Sequence, residues 1–340
     1  MYYSKTGKIF SSLSKKYLVT GVGGFIASRL SRELLDHGYQ VVGVDNLNDY
    51  YDVRLKDWRL GQLKAHSQSQ NFRFHNLDIE DEEGLKNLFN GEDQFDAVLN
   101  LAARVGVRCS MKNPHVYLPT NAGGTLNLLE CMRQSGCKKF VLASTSSLYA
   151  GQSMPFTEDL AVNEPLSPYA ASKKAAELMA YSYHSLYGID VSVVRYFSVY
   201  GPAGRPDMSP YRFIKWIAEE ETIQMFGDGS QSRDFTFVDD IARGSVAALQ
   251  QVGYEIINLG GGRNPVTLNA IIERLESLLG KKAKINHEPF HIADLKETWA
   301  DIDKAKNLLG WEPEATLDVG LEKSVQWYVD NREWLKDIEL

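Results

Sequence analysis

The chain has 340 residues, and its 44 Asp and Glu outnumber its 37 Lys and Arg, which gives a formal net charge of −7. At roughly 150 residues per domain this length predicts about two domains, or one large domain with a substantial appendage. A composition of 44% hydrophobic and 24% charged residues excludes a largely disordered chain. The acidic balance argues against a surface for nucleic acid or anionic membranes. Three cysteines without zinc-ligand spacing, and no apolar run near the roughly 18 residues of a membrane span, predict a soluble cytoplasmic protein without a metal site.

Residues 1–15 are polar and lack the apolar centre of a signal peptide, so we interpret them as an extension before the fold. Beyond them, short apolar runs alternate with amphipathic segments. The runs predicted to be buried strands are Tyr17–Thr20, Gln40–Val44, Phe72–Leu77, Ala97–Leu101, Phe140–Ser144 and Val191–Arg195. Helices are predicted over Phe25–His37, closed by Gly38, and from about Val116 to Gln134, closed by Gly136. This alternation predicts an α/β fold with a doubly wound (Rossmann) parallel sheet.

After Arg195 the composition changes to Gly- and Pro-rich loops with sparse strands. Helical segments are predicted near Tyr211–Glu221, Thr267–Leu279 and Leu317–Tyr328. We therefore expect a Rossmann domain over residues 1–196 and a smaller, mostly helical α/β substrate domain over 197–340. The segment of about 234–260 is expected to pack back on the first domain.

A glycine-rich turn follows the first predicted strand directly and opens the first predicted helix. Gly21 permits a tight turn, Gly24 lets the backbone approach a pyrophosphate, and the small Ala27 lets helix and strand pack closely. Asp45 ends the second strand, 21 residues beyond Gly24, where it can accept hydrogen bonds from a ribose 2′-hydroxyl and repel a 2′-phosphate. The pattern therefore predicts binding of NAD rather than NADP.

A Tyr-x-x-x-Lys pair, Tyr169 and Lys173, opens a predicted helix just after Ser167 and Pro168. Residues four apart share a helix face, so the Lys173 ammonium can lower the pKa of the Tyr169 phenol. A phenolate there can take a proton from a sugar hydroxyl as hydride leaves the same carbon. The same spacing recurs at Tyr211 and Lys215, which we interpret as part of an amphipathic surface helix.

Seven blocks in this order resemble the extended short-chain dehydrogenase/reductase family, and within it the NAD-dependent nucleotide-sugar epimerases. The blocks are Thr20–Ala27, Val44–Tyr51, Asn100–Ala103, Ser144–Tyr149, Pro168–Lys173, Arg195–Pro202 and Arg233–Asp240. The match runs from about Lys16 to about Trp327. The stretches Asp45–Tyr51 and Gly201–Met208 look most like UDP-glucuronate 4-epimerases.

The resemblance implies that Tyr169 is the catalytic base, that Lys173 holds the nicotinamide ribose, and that Thr145 shares the proton at the sugar 4-hydroxyl. The residues predicted to contact NAD, besides Tyr169 and Lys173, are Gly21, Gly24, Phe25, Ile26, Asp45, Asn46, Asp78, Ile79, Leu101, Ala102, Ala103, Asn121, Ser144 and Tyr196. The residues predicted to contact the UDP-sugar are Ser146, Ser147, Ser198, Arg205, Arg233 and Asp294, with Asn258 near the UDP moiety. Family resemblance also implies a homodimer through the helices near 115–135 and 169–187.

Arg205 bears on the choice of sugar. A guanidinium beside C5 of the hexose can grip a C6 carboxylate in two places, whereas the alternative is a loop-surface salt bridge between Arg205 and Asp207. We therefore predict an NAD-retaining 4-epimerase that converts UDP-glucuronate to UDP-galacturonate.

Several alternatives remain. The nearest is a 4-epimerase of UDP-N-acetylglucosamine or another N-acetylhexosamine derivative. A 4,6-dehydratase or a UDP-glucuronate decarboxylase is disfavoured because Ser146 and Ser147 stand where those relatives carry acidic residues. A non-catalytic NAD-binding scaffold is disfavoured by the intact Tyr169, Lys173 and Thr145.

Overall fold

Strands and helices alternate through the first half of the chain and give way to shorter elements after residue 200. A computed structural model describes residues 14–92, 94–262, 265–290 and 295–339. The strands are β1 Lys16–Thr20, β2 Gln40–Asp45, β3 Phe72–Asn76, β4 Ala97–Asn100, β5 Lys139–Thr145, β6 Asp190–Tyr196, β7 Ser198–Tyr200, β8 Thr222–Phe226, β9 Ser232–Arg233, β10 Phe235–Phe237, β11 Tyr254–Leu259, β12 Val266–Thr267 and β13 Lys284–Glu288. The α-helices are α1 Phe25–Asp36, α2 Val53–Lys64, α3 Glu82–Gly91, α4 Val107–Lys112, α5 Gly124–Ser135, α6 Pro168–Tyr187, α7 Ser209–Ala218, α8 Val238–Ala247, α9 Leu268–Leu279, α10 Asp303–Leu309, α11 Leu317–Asp330 and α12 Arg332–Leu335.

The central sheet contains seven parallel strands in the described part of the chain, in the order β3-β2-β1-β4-β5-β6-β11. Neighbouring residues of β1 face opposite cores, because strand side chains alternate: Leu18 packs with α3, α5 and α6, and Val19 packs with α1 and α8. The doubly wound prediction is confirmed. Strand order reverses between β1 and β4, and a crevice at such a reversal is where this fold binds ligands.

Helix α6 shows how local sequence fixes the position of the reactive pair. The Ser167 hydroxyl accepts a hydrogen bond from the Ala170 N–H at 3.1 Å, and Pro168 occupies the first helical position. The helix ends at Gly188, which is left-handed with φ 65°. Tyr169 and Lys173 therefore lie in the first turns of a capped helix.

The helix predicted from about Val116 to Gln134 is irregular. A 3₁₀ turn at Pro114–Val116 and a π-helical segment at Pro119–Gly123 precede α5. Pro119 has no N–H to donate, and the Thr120 hydroxyl donates to the Val116 carbonyl at 3.1 Å, so the regular backbone ladder is interrupted there.

A second core lies among α7, α9 and α11 and the short strands between them. Tyr211 and Lys215 on α7 belong to its buried residues, with 6% and 5% exposure, so the prediction of a surface helix is wrong. The Lys215 amine donates to the Ile338 carbonyl, which explains how this cation is buried. Helix α2 joins both cores, because Leu55 packs in the second and Leu60 in the first. None of the helices in these described ranges is both long and apolar enough to cross a membrane.

Candidate active site

A cavity of about 1110 Å³ opens at the carboxyl ends of the central strands and extends towards α7 and β8. Most residues predicted to contact ligands line it: Gly21, Gly24, Phe25, Ile26, Asp45, Asn46, Asp78, Ile79, Leu101, Ala102, Ala103, Ser144, Thr145, Ser146, Ser147, Tyr169, Lys173, Tyr196, Ser198, Arg205 and Arg233. Asp294 lies outside the described residues.

The glycine-rich turn packs against the loop that follows β4. Gly21 has φ +71°, and a Cβ built on it would lie 2.9 Å from Ala102 Cα, so only glycine fits. The Thr20 hydroxyl accepts hydrogen bonds from the N–H groups of Leu101 and Ala102, both at 3.0 Å. Main chain from two neighbouring strands therefore lines the crevice directly.

Gly24 is the N-cap of helix α1, and within the described ranges no side chain hydrogen-bonds to this helix end. The free N–H groups of its first turn, together with the helix dipole, favour an anionic group at this end of the cavity. A dinucleotide pyrophosphate fits this site.

Asp45 is buried at the end of β2, with 7% exposure. Its carboxylate accepts from the N–H groups of Gly23 at 3.0 Å and Leu47 at 2.8 Å, and the Lys56 ammonium lies 3.4 Å away. Lys56 could not be predicted from the sequence, because nothing in the sequence of α2 indicates that this lysine lies next to the end of β2.

Asn46 and Asp78 connect the ends of β2 and β3. The Asn46 amide donates to the Asp78 carboxylate at 2.6 Å, while the other Asp78 oxygen accepts from the Glu80 N–H at 2.9 Å. The pair orders the rim of the cavity next to Asp45.

Two of the predicted residues do not line the cavity. The Asn121 amide is buried, where it donates to the Arg104 carbonyl at 3.0 Å and to the Ser172 hydroxyl at 2.8 Å. Asn258 is fully buried and accepts from the Tyr149 hydroxyl at 2.8 Å. Both amides hydrogen-bond protein groups, and contact of Asn121 with NAD and of Asn258 with UDP stays a prediction.

Tyr169 lies on the cavity wall and is hydrogen-bonded to the Thr145 hydroxyl. Burial raises the pKa of the Tyr169 phenol, while Thr145 and the Arg205 guanidinium lower it. The sequence prediction assigned this lowering to Lys173. Burial also lowers the pKa of Lys173 to about 8, so this amine is still mostly protonated at pH 7.

A buried ion pair joins helix α6, which carries Tyr169 and Lys173, to strand β6. The Glu177 carboxylate accepts from the Arg195 guanidinium at 2.9 and 2.8 Å and from the Ser144 hydroxyl at 2.7 Å. Glu177 also raises the pKa of Lys173, opposing the effect of burial. Sequence reasoning missed Glu177, although its spacing of four residues from Lys173 on one helix face was a usable signal.

Arg205 pairs with Asp207 at 3.0 and 2.5 Å, as the alternative interpretation of this loop expected. The pair lines the cavity rather than the outer surface, and the side chains are 22% and 33% exposed. Tyr50 and the Cys109 thiol line the same part of the wall. The positive charge of Arg205 lowers the pKa of Tyr169, so a cation lies close enough to act on the reactive phenol.

The far end of the cavity carries cations with aromatic partners. The Arg108 guanidinium lies 4.2 Å from the Phe226 ring centre and that of Arg212 lies 4.3 Å from the Trp216 ring centre. Arg233 also lines this end. Planar cations beside aromatic rings suit a nucleotide diphosphate and base.

Similarity to known proteins agrees with this geometry. Residues 17–260 match the NAD dependent epimerase/dehydratase family. The chain is 61% identical over 324 residues to a UDP-glucuronate 4-epimerase of Thermodesulfobacterium geofontis, covering 95% of this chain and 99% of that protein.

Solved structures with a similar fold include two sugar-nucleotide complexes. The Bacillus cereus UDP-glucuronic acid 4-epimerase in complex with UDP-glucuronic acid and NAD has a TM-score of 0.86 at 38% identity, covering 93% of this chain and 99% of that chain. The Thermotoga maritima UDP-glucose 4-epimerase with UDP-glucose has a TM-score of 0.84 at 31% identity, also covering 93% and 99%.

Proposed function

The chain belongs to the NAD dependent epimerase/dehydratase family, and from this membership we propose that it interconverts UDP-glucuronate and UDP-galacturonate at C4. The observation that carries this choice of sugar is the Arg205 guanidinium, which lies in the cavity and reaches Tyr169 with its charge. In a hexuronate, the carboxylate carbon C6 is two bonds from the reacting C4, with C5 between them. A cation near Tyr169 therefore suits a uronate.

NAD is the cofactor, and when bound it would supply reversible hydride transfer at C4. Gly21, Gly24 and Asp45 hold its dinucleotide portion, because the tight turn, the uncapped helix end and the buried carboxylate fit a pyrophosphate and a ribose.

Tyr169 takes the proton from the sugar 4-hydroxyl and later returns it. Thr145 donates to the phenolate oxygen and, with Arg205, opposes the rise in pKa that burial causes. Lys173 holds the nicotinamide ribose, and Ser146 and Ser147 line the sugar pocket. The pocket lined by Ser146 and Ser147 would have to let the 4-keto sugar turn, so that its other face meets the nicotinamide side of the cavity.

Arg205 grips the C6 carboxylate and keeps the β-keto acid from losing CO₂ while the sugar turns. Asp207 competes for the same guanidinium, so the substrate carboxylate shares or displaces that partner. Ser198, at the start of β7, lies in the same wall. Arg233 contacts the diphosphate.

The assembly is proposed to be a homodimer in the cytoplasm. Large apolar side chains are exposed on α5 and α6, which two copies would bury against each other: Leu126, Leu178, Tyr181 and Leu186. Three free cysteines suit a reducing compartment. The division into domains near residue 196, with 234–260 returning to the first, accords with β11 pairing beside β6.

Product analysis by NMR with UDP-glucuronate, UDP-glucose and UDP-N-acetylglucosamine supplied separately tests the function. UDP-glucuronate should be preferred, and Arg205→Ala should cost about 2–5 kcal/mol of transition-state stabilisation with the acid but little with UDP-glucose. A wild type that ignores UDP-glucuronate and converts UDP-N-acetylglucosamine would establish the alternative, an N-acetylhexosamine 4-epimerase.

A further inference from the structure

Arg59, on α2, is a buried cation that has no part in the steps above. The residue is 2% exposed, and its guanidinium has five N–H bonds to satisfy. Nε and Nη2 donate to the Ala203 carbonyl at 3.1 and 2.8 Å, and Nη2 also donates to the Gly204 carbonyl at 3.1 Å. Nη1 donates to the Gly23 carbonyl at 3.1 Å and to the Tyr51 hydroxyl at 2.6 Å. Every donor is therefore used, and each of these acceptors is neutral.

The carbonyl acceptors belong to two loops that meet at this guanidinium, and the Tyr51 hydroxyl comes from the segment before α2. Gly23 lies in the glycine-rich turn, and its N–H donates to the Asp45 carboxylate at 3.0 Å. Ala203 and Gly204 directly precede Arg205. One guanidinium thus connects the loop that faces the cofactor to the loop that faces the sugar.

The sugar-facing loop has a shape that its own residues do not favour. Ala203 has φ 55°, in the left-handed region that residues with a Cβ rarely adopt. The Ala203 carbonyl is also the atom that receives two of the Arg59 hydrogen bonds. The contact with Arg59 therefore stabilises the conformation that sets the direction of Arg205.

Helix α2 is a rigid support for this contact. Its Leu55 packs in the second core with Ile214 and Leu321, whereas its Leu60 packs in the core beside β1. A side chain on α2 consequently has a fixed position relative to both loops.

We propose that Arg59 is a positioning residue that links the glycine-rich turn to the Arg205 loop, so that binding of NAD orders the sugar side of the cavity. The identity of the sugar in this statement rests on the proposed function, whereas the link between the loops does not.

Hydrogen exchange followed by mass spectrometry, on the full chain without and with saturating NAD, tests the link without any sugar. In the wild type NAD should slow exchange of the amides within residues 201–207 by roughly fivefold or more. In Arg59→Met and Arg59→Lys that slowing should be lost, while NAD still protects residues 20–27. Arg59→Lys keeps the charge but not the five-donor fork, so it decides the question if Arg59→Met does not fold.

Arg54→Met is the matched control, because Arg54 lies on the same helix, is 48% exposed at its side chain and pairs with Asp52. It should retain the full NAD effect on residues 201–207. If NAD slows exchange in this loop equally in Arg59→Lys and in the wild type, the proposal is wrong.

A double-mutant cycle tests whether Arg59 acts through Arg205. Arg59→Lys should lower kcat/KM for UDP-glucuronate by about tenfold or more, lower it less for UDP-glucose, and add little to Arg205→Ala. Fully additive losses would overturn the proposal. A wild type that does not convert UDP-glucuronate refutes the proposed function instead, and the exchange experiment then decides the role of Arg59 alone.

Discussion

The two sides of the cavity are built from different parts of the chain. Main chain forms much of the cofactor side, where Gly21 packs on Ala102 and the Thr20 hydroxyl holds the loop after β4. Charged side chains form the sugar side, where Arg205 pairs with Asp207. A main-chain wall has a shape that most substitutions leave intact, whereas a single substitution changes the charge of a side-chain wall. We therefore expect cofactor binding to be robust and sugar choice to be easily altered.

Tyr169 lies where the two sides meet, so its loss should have the largest effect. Tyr169→Phe should lower turnover by about 10²- to 10⁴-fold, because it removes the positioned acid–base group. NAD affinity, measured by direct titration, should change little, because the cofactor side would be intact.

Tyr211→Phe is the control for this substitution. Tyr211 has the same spacing to a lysine, but it is buried in the second core, and its hydroxyl has no hydrogen-bond partner among the residues that the structure describes. The turnover of Tyr211→Phe should be near that of the wild type. Similar losses in both variants would contradict the assignment of Tyr169 as the base.

Features that depend on neighbouring residues could be predicted from the sequence. The central strands, the turn at Gly21 and the cap at Ser167 each follow from residues a few positions apart. Contacts between distant segments could not be predicted. Arg59 and Ala203 are 144 positions apart, and no periodicity or motif connects them. The hydrogen bonds of Asn258 could not be predicted for the same reason, since its partners come from segments about 100 residues away.

Substitution of Lys173 tests whether a buried cation at the reaction centre lowers the free energy of unfolding. Its pKa is lowered to about 8 from an ordinary 10.5, mainly by burial and against the influence of Glu177. Since the folded chain binds this proton less tightly than the unfolded chain, the cost is fully present below pH 8. It is relieved as pH rises from about 8 towards 10.5.

Lys173→Met should therefore raise the free energy of unfolding of the NAD-free protein at pH 7 by about 1–3 kcal/mol. The gain should shrink as pH rises towards 10. Denaturant unfolding at both pH values measures it, and Lys174→Met, at a more exposed neighbour, should show no such pH-dependent gain. A gain of equal size at both pH values would contradict the role of the buried charge.

The smallest expected effect concerns Asp45, a charged side chain on the cofactor side at the predicted ribose site. Asp45→Asn should narrow the preference for NAD over NADP by about tenfold, because a neutral side chain no longer repels a 2′-phosphate. The change is modest because Lys56, 3.4 Å from the carboxylate, already offsets part of its charge. Lys56→Met removes that offset, so it should widen the preference for NAD while Asp45→Asn narrows it. Titration of both cofactors against the two variants measures these opposite shifts. Shifts in the same direction would mean that the shape of the Gly23 turn, rather than charge at Asp45, selects the cofactor. The main chain alone would then select the ligand on the cofactor side. The two sides of the cavity would in that case differ completely in how they select a ligand, by main-chain shape on one and by side-chain charge on the other.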